Sequence, residues 1–557
     1  MWFATSTAMK SLFFYAALCC SLFASCQNSS SGRDNNDNDV QSEGQKKVSK
    51  RDYSINASNS YSTLFLDSNT LERFIADKKL SDSVARRMRS FYNTRNYQFA
   101  WFSADGLTEQ ALGFWNLHDY VTTYDNDTTL RDKTLQKRMD ALVAEENLSV
   151  NASDKTYINT ELTLTQHFIL YILNNYEKGY VKRKEMERFI PFKKQDAMYL
   201  ADSLLNKKHK DNKYFEDVHE PYGQLKNQLE TYYNIAQKGG WPQIVTTKKT
   251  LKKGASDSVV TVIKKRLRIT GDLPGSDTSR IFNDTLVNAV KSYQERMGYK
   301  PDGIVTAQLI NDMNVPALKR VEQILMNMGR MRWMPHTPSG QLILVNIPEF
   351  KLHMHEGKNK AFDMNVVVGK EGHNTMMFSG DLNQVVFSPY WNVPPSIVKK
   401  EILPALQKNP NYLQDNNMEQ VGMDGDVPKI RQLPGPGNSL GRVKFLFPNS
   451  FNIYFHDTPA KSLFEKDKRA YSHGCIRLAD PEKMANYLLR NNPEWTPDRI
   501  RAAMNSGVEK YVKLKNPVPV VITYYTAWVD DNGRLNFRDD IYDHDQKLAA
   551  KMFTTPL

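Results

Sequence analysis

Two short runs decide the reading of this chain. They are Ile453-Tyr454-Phe455-His456 and, after the 15 residues 457 to 471, Ser472-His473-Gly474-Cys475-Ile476-Arg477. The first is an apolar, strand-like run that ends in a histidine; the second is a glycine-containing turn ahead of a helical stretch, Pro481 to Arg490. Gly474 removes the side chain next to the sulfur, so the turn can expose a nucleophile and aim two backbone N–H groups at one oxyanion. A free thiol titrates near ~8.5 and a neighbouring imidazolium lowers it, so His456 or His473 is expected to hold Cys475 as a thiolate at neutral pH.

Cysteine usage sharpens this reading. Of four cysteines, Cys19, Cys20 and Cys26 lie in the first 26 residues, and only Cys475 follows. The mature part therefore has no intrachain disulfide framework. The apolar run Leu12 to Ala24 follows Lys10 and is too short to span a membrane, which makes it the h-region of a secretory signal, with Met9 as an alternative start. Phe23-Ala24-Ser25-Cys26 resembles a bacterial lipobox. That implies a lipid on Cys26 and a periplasmic protein anchored to the outer membrane, since Gln27 is not an acidic retention signal. An unpaired thiol in an exported domain is either buried and inert or used, and the turn around Cys475 favours use.

Working outward, 557 residues make a chain of several domains, and 40% apolar with 24% charged residues is ordinary for folded material. Lys+Arg 74 against Asp+Glu 62 gives a net charge of +12, but the charges are scattered and no motif reads nucleic acid. After residues 1–26, the stretch 27–56 is Ser, Asn, Asp, Gly and Lys and reads as a disordered tether. Residues 57–250 are helical, as in Glu161 to Leu173, and the aromatics between Phe91 and Phe102 are placed to build a core. Gly239-Gly240-Trp241-Pro242 breaks that pattern. Residues 251–316 hold three short amphipathic helices, with Gly298 ending the second and Pro301-Asp302-Gly303 turning into the third. A connector, 317–340, leads to a β-rich domain at 341–525, and 526–557 form a C-terminal segment. The β-rich domain is interrupted at 395–440 by helical Ile397 to Gln407 and loop-rich Asn409 to Pro436, an insertion expected to act as a lid, with Gly422, Gly425, Gly435 and Gly437 as hinges. The fold class is α+β and multidomain.

Two resemblances attach to these motifs. Tyr293 to Thr306 is similar to the signature of the three-helix peptidoglycan-binding domain, with Val305 where that family commonly has glycine. His456, 15 residues and Ser472-His473-Gly474-Cys475-Ile476-Arg477 resemble the YkuD-type L,D-transpeptidase catalytic domain. Phe387 to Ile397, Leu440 to Phe445 and His456-Asp457-Thr458-Pro459 resemble its large YcbB-like Gram-negative subgroup, which has a helical scaffold and a capping insertion. The resemblance implies that Cys475 attacks the tetrapeptide stem of peptidoglycan, with His456 as general base and Ser472 and His473 in the turn. It also implies an oxyanion hole from the Gly474 and Cys475 N–H groups, substrate contacts at Tyr390, Trp391 and Arg477, and labelling of Cys475 by carbapenems. Arg477 either holds the turn or takes a stem carboxylate. The implied partners are stem peptides and glycan, with the membrane reached through the lipid on Cys26. No cofactor is implied, and a metal site on His456, His473 and Cys475 lacks the usual ligand spacing. An L,D-carboxypeptidase and a catalytically idle wall-binding scaffold remain alternatives, and His353, His355 and His373 read as surface or core residues.

Overall fold

A computed structural model of the chain describes residues 47–124, 127–145, 148–175, 190–206, 220–334 and 340–554. The expected signal peptide, the lipobox with Cys26 and most of the tether lie outside the described residues. The end of that tether is folded: Ile55 is fully buried, Asp52 N–H donates to the Asn93 carbonyl and the Asn96 amide donates to the Ile55 carbonyl. One apolar residue in a polar run is enough to dock it. Among the described residues no helix is long and apolar enough to cross a membrane.

The helical region gathers its aromatics as the sequence predicts. Trp101, Phe114 and Phe168 are fully buried, with ring centroids 5.2 to 5.5 Å apart. The three-helix module follows at Ser258–Ile269, Asp284–Met297 and Ala307–Met313, and Gly298 closes the second helix at φ +80. The stretch expected as a connector is instead a strut, the helix Ala317–Met331. Its apolar residues recur at three- and four-residue spacing, so it has a face to bury. Arg330 near its end pairs with Glu109 of the helical region at 2.6 Å and with Asp545 of the C-terminal helix at 2.5 Å. Through this strut the helical region and C-terminal segment brace one another.

The β-rich domain has strands β1 (Gln341–Asn346), β2 (Lys351–Glu356), β3 (Asn359–Gly369) and β4 (Ser379–Phe387). The insertion carries β5 (Trp391–Asn392), β6 (Met418–Asp424) and β7 (Val427–Gln432). The main sheet resumes with β8 (Val443–Leu446), β9 (Phe455–His456), β10 (Ala470–Ser472), β11 (Ile476–Leu478) and β12 (Lys510–Thr523). The hydrogen-bonded order is β10-β3-β11-β9-β8-β4-β12-β1-β2, and β2 also pairs with β3, so the sheet closes on itself around a core. Phe387, Phe445, Phe455, Ile476 and Leu478 inside it are fully buried, each contributing about 1.5–3 kcal/mol.

The insertion is not loop-rich. After a helical stretch from Pro395 to Lys408, β6 and β7 form a hairpin, and β5 joins as a third strand. Gly425 at φ +58 makes the Gly425-Asp426 turn, and the β6–β7 register shifts between Gln420 and Gly422. These two expected hinges therefore serve a turn and a bulge. Val393, Val398, Ile402, Val427 and Ile430 give the insertion its own small core.

Candidate active site

Two short parallel strands build the site. β9 and β11 pair Phe455 with Ile476 and His456 with Arg477. Phe455 and Ile476 point into the core, so by the two-residue period of a strand Tyr454, His456, Cys475 and Arg477 share the opposite face. The Ile476 N–H donates to the Tyr454 carbonyl at 3.1 Å, which sets Cys475 beside Tyr454. Lys444 on β8 stands opposite His456 in the neighbouring register.

His456 is 4% exposed, and its Nδ1 lies 2.5 Å from the Asp457 carbonyl oxygen. A carbonyl only accepts, so Nδ1 carries the proton and Nε2 keeps its lone pair. Burial, then the Arg477 charge, pushes the His456 pKa down to about 3. Burial pushes the Cys475 thiol up to about 11, although hydrogen bonds from Tyr454 and the charge on Arg477 favour the thiolate. Both shifts run against the imidazolium-held thiolate expected from the sequence and favour a neutral thiol beside a neutral imidazole. Two cations, Arg477 and Lys444, oppose a proton on His456.

Asp457 fixes the histidine from behind. Its carboxylate accepts from Thr458 N–H at 2.7 Å, Lys461 Nζ at 2.7 Å and Arg442 N–H at 2.9 Å. Gly441 passes so close, at φ +62, that a Cβ there would sit 2.4 Å from that carboxylate. This explains the Leu440-Gly441-Arg442 run.

In the turn, Ser472 Oγ donates to the Cys475 carbonyl at 2.5 Å and accepts from Gly474 N–H at 3.3 Å. The expected pair of oxyanion donors is therefore reduced: Gly474 N–H faces the Ser472 hydroxyl, and Cys475 N–H alone has no acceptor among the described residues. Gly474 sits at φ +110, a conformation that favours glycine. His473 turns outward, with Nε2 3.0 Å from Glu401 of the insertion and its ring 4.7 Å from His373. His373, read from the sequence as a surface or core residue, thus lies against the turn that carries Cys475.

Arg477 stands beside Cys475 with a buried Nε that meets no acceptor among the described residues. Tyr390 joins the edge of the site through Lys444, whose Nζ donates to the Tyr390 carbonyl at 3.4 Å; Arg431 lies 4.3 Å over the Tyr390 ring, the Tyr390 N–H donates to Glu509, and Trp391 pairs with Gln432 in the insertion. They form the root of the insertion. Sequence reasoning missed Tyr454, whose hydroxyl hydrogen-bonds the Cys475 thiol, and Lys444, whose Nζ is 3.7 Å from Glu509. Strand alternation, applied to Tyr454 two residues before His456 and to Val443-Lys444-Phe445, is the signal that finds both.

Comparison with known proteins finds three domain families along the chain. Residues 340–522 match the L,D-transpeptidase catalytic domain, 86–229 a scaffold domain, and 256–313 the family described as "putative peptidoglycan binding domain". The chain thus carries an L,D-transpeptidase catalytic domain on a helical scaffold with a peptidoglycan-binding module. A curated protein of Haemophilus influenzae named "Putative L,D-transpeptidase" is 30% identical over 255 residues, covering 42% of this chain and 51% of that protein. The match spans about half the length of that relative. Among solved structures, the L,D-transpeptidase of Mycobacterium smegmatis is 15% identical with a TM-score of 0.19, covering 33% of this chain and 58% of its own. That of Stackebrandtia nassauensis is 13% identical with a TM-score of 0.22, covering 50% and 97%. At such scores the assignment rests on the domain matches and the curated relative.

Proposed function

We propose that this chain is a peptidoglycan L,D-transpeptidase acting through Cys475. The thiol attacks the carbonyl that joins an L-centre to the terminal D-Ala of a tetrapeptide stem. His456 Nε2 takes the thiol proton and passes it to the departing amine, leaving a thioester and free D-Ala. An amine of a neighbouring stem then attacks the thioester, His456 receives its proton and returns it to the sulfur, and a 3-3 cross-link forms. The observation that supports this reading is the register of β9 and β11, which by strand alternation puts Cys475 and a His456 of fixed tautomer on one face of a parallel strand pair. The Cys475 N–H supplies an oxyanion donor, and Arg477, whose Nε meets no acceptor among the described residues, supplies a cation for a stem carboxylate.

The peptidoglycan-binding and transpeptidase domains support an extracytoplasmic location, and Cys26 is proposed as the outer-membrane anchor. The test is incubation of the protein with disaccharide-tetrapeptide and mass analysis of the products. A cross-linked dimer with loss of D-Ala supports the proposal. Tripeptide alone makes the chain an L,D-carboxypeptidase, and unchanged substrate makes it a wall-binding scaffold.

A further inference from the structure

We infer that Thr375 is a positioning residue that aims the Cys475 N–H at the developing oxyanion; the inference rests on the acyl-transfer reading above. Thr375 lies in the loop after β3 and is 1% exposed. Its hydroxyl accepts from the Gly369 N–H at 2.9 Å and lies 2.7 Å from the Gly474 carbonyl oxygen. A hydroxyl has one proton, and a carbonyl cannot donate, so that proton goes to Gly474.

The consequence lies in the peptide plane. In a trans peptide the C=O of residue 474 and the N–H of residue 475 point in opposite directions. Fixing the Gly474 carbonyl on Thr375 therefore fixes the Cys475 N–H pointing away from Thr375. Three other polar groups of the turn are already engaged. Gly474 N–H meets Ser472 Oγ, the Cys475 carbonyl accepts from Ser472 Oγ, and Ile476 N–H donates to the Tyr454 carbonyl. Glycine at position 474 gives the peptide freedom to rotate, so its orientation needs an outside latch.

The latch is itself braced. The Thr375 N–H donates to the Tyr542 hydroxyl at 3.3 Å, and that hydroxyl donates to the Gly369 carbonyl at 2.6 Å. A Cβ on Gly369 would lie 2.0 Å from the His373 carbonyl oxygen, so the loop packs onto the end of β3 as only glycine permits. Tyr542 comes from the C-terminal segment, which thereby reaches the catalytic turn through Thr375.

The test separates two reactions of one sulfur in the full chain. Acylation by a carbapenem or by the tetrapeptide develops an oxyanion; alkylation by iodoacetamide does not. Thr375→Val is expected to slow acylation about 10- to 100-fold, less than the about 10²–10³ for outright loss of an oxyanion donor because the N–H is misaimed rather than removed, while alkylation at the same pH stays within about twofold of wild type. Thr375→Ser, which keeps the hydroxyl, is expected to restore acylation. Where Thr375→Val does not fold, as read by a thermal melt, Tyr542→Phe replaces it and shows the same split at smaller size. Parallel loss of both reactions, or normal acylation in the hydroxyl-free variant, overturns the inference. A wild-type chain that alkylates but never acylates overturns the acyl-transfer reading instead, and this inference falls with it.

Discussion

The protonation state of the resting site leads to a prediction that the sequence alone would have reversed. With the Cys475 thiol pushed up to about 11, the thiolate fraction at pH 7.5 is about 3 × 10⁻⁴, against about 0.1 for an ordinary thiol of pKa ~8.5. A more basic thiolate is intrinsically more nucleophilic, by about tenfold for this difference. Alkylation by iodoacetamide at pH 7.5 is therefore expected to run about 20- to 30-fold slower in the native protein than in the same chain unfolded in guanidinium. The native rate should climb about tenfold per pH unit between about pH 7 and 10, without a plateau. His456→Ala should change this profile little, because His456 is neutral and holds no thiolate in place. The same variant should lose about 10²–10⁴ in acylation, where proton transfer during attack is needed. The assay is intact mass against time across a pH series. A flat alkylation rate between pH 5 and 8, faster than the unfolded thiol, would establish a thiolate–imidazolium pair and refute the reasoning.

Three further outcomes follow from other parts of the molecule. Gly441→Ala places a Cβ at positive φ against the Asp457 carboxylate and should cost about 2–4 kcal/mol in a denaturant melt, with a loss of acylation; an unchanged midpoint would remove the clamp on His456. His353 sits between Glu349 at 2.9 Å and Asp363 at 2.7 Å, and these carboxylates outweigh its burial and push it up to about 9. Its folded pKa exceeds the unfolded value, so its stabilisation is complete below about pH 6.5 and fades as pH rises through about 9; His353→Gln should weaken the protein clearly at pH 6 and much less at pH 9.5, and equal losses at both would contradict the pairing. Replacing the hairpin residues 417–433 by a short Gly-Ser bridge should raise the ratio of hydrolysed to cross-linked product while Cys475 still acylates, and an unchanged ratio would show that the insertion does not guard the thioester.

What the sequence made legible and what it hid divide along physical lines. The three-helix module, the aromatic core and β1 to β3 follow from periodicity, and the turn that carries Cys475 from a thiol set next to glycine. β4 is less visible because Asp381, Asn383 and Gln384 interrupt its apolar run, yet it lies between β8 and β12. The hairpin of the insertion carries a readable Gly425-Asp426 turn, but the polar residues of β6 resemble a loop. The strut Ala317–Met331 is an amphipathic helix by pattern, and only its partners Glu109 and Asp545 show why it is buried. The protonation states of His456 and Cys475 were beyond sequence reasoning because they depend on burial and on two cations, Arg477 and Lys444, brought in by strand register. The Gly474 N–H likewise depends on where the Ser472 hydroxyl turns.

The most direct test of the central claim is the mass of the covalent intermediate, mapped by peptide. The protein is mixed with a tetrapeptide stem, quenched in acid within seconds, digested and sequenced by tandem mass spectrometry, alongside Cys475→Ser and His456→Ala. The account predicts a tripeptidyl adduct on Cys475 in the wild type, none in Cys475→Ser, and a much slower adduct in His456→Ala. An adduct on any other residue, or one that persists in Cys475→Ser, would contradict it.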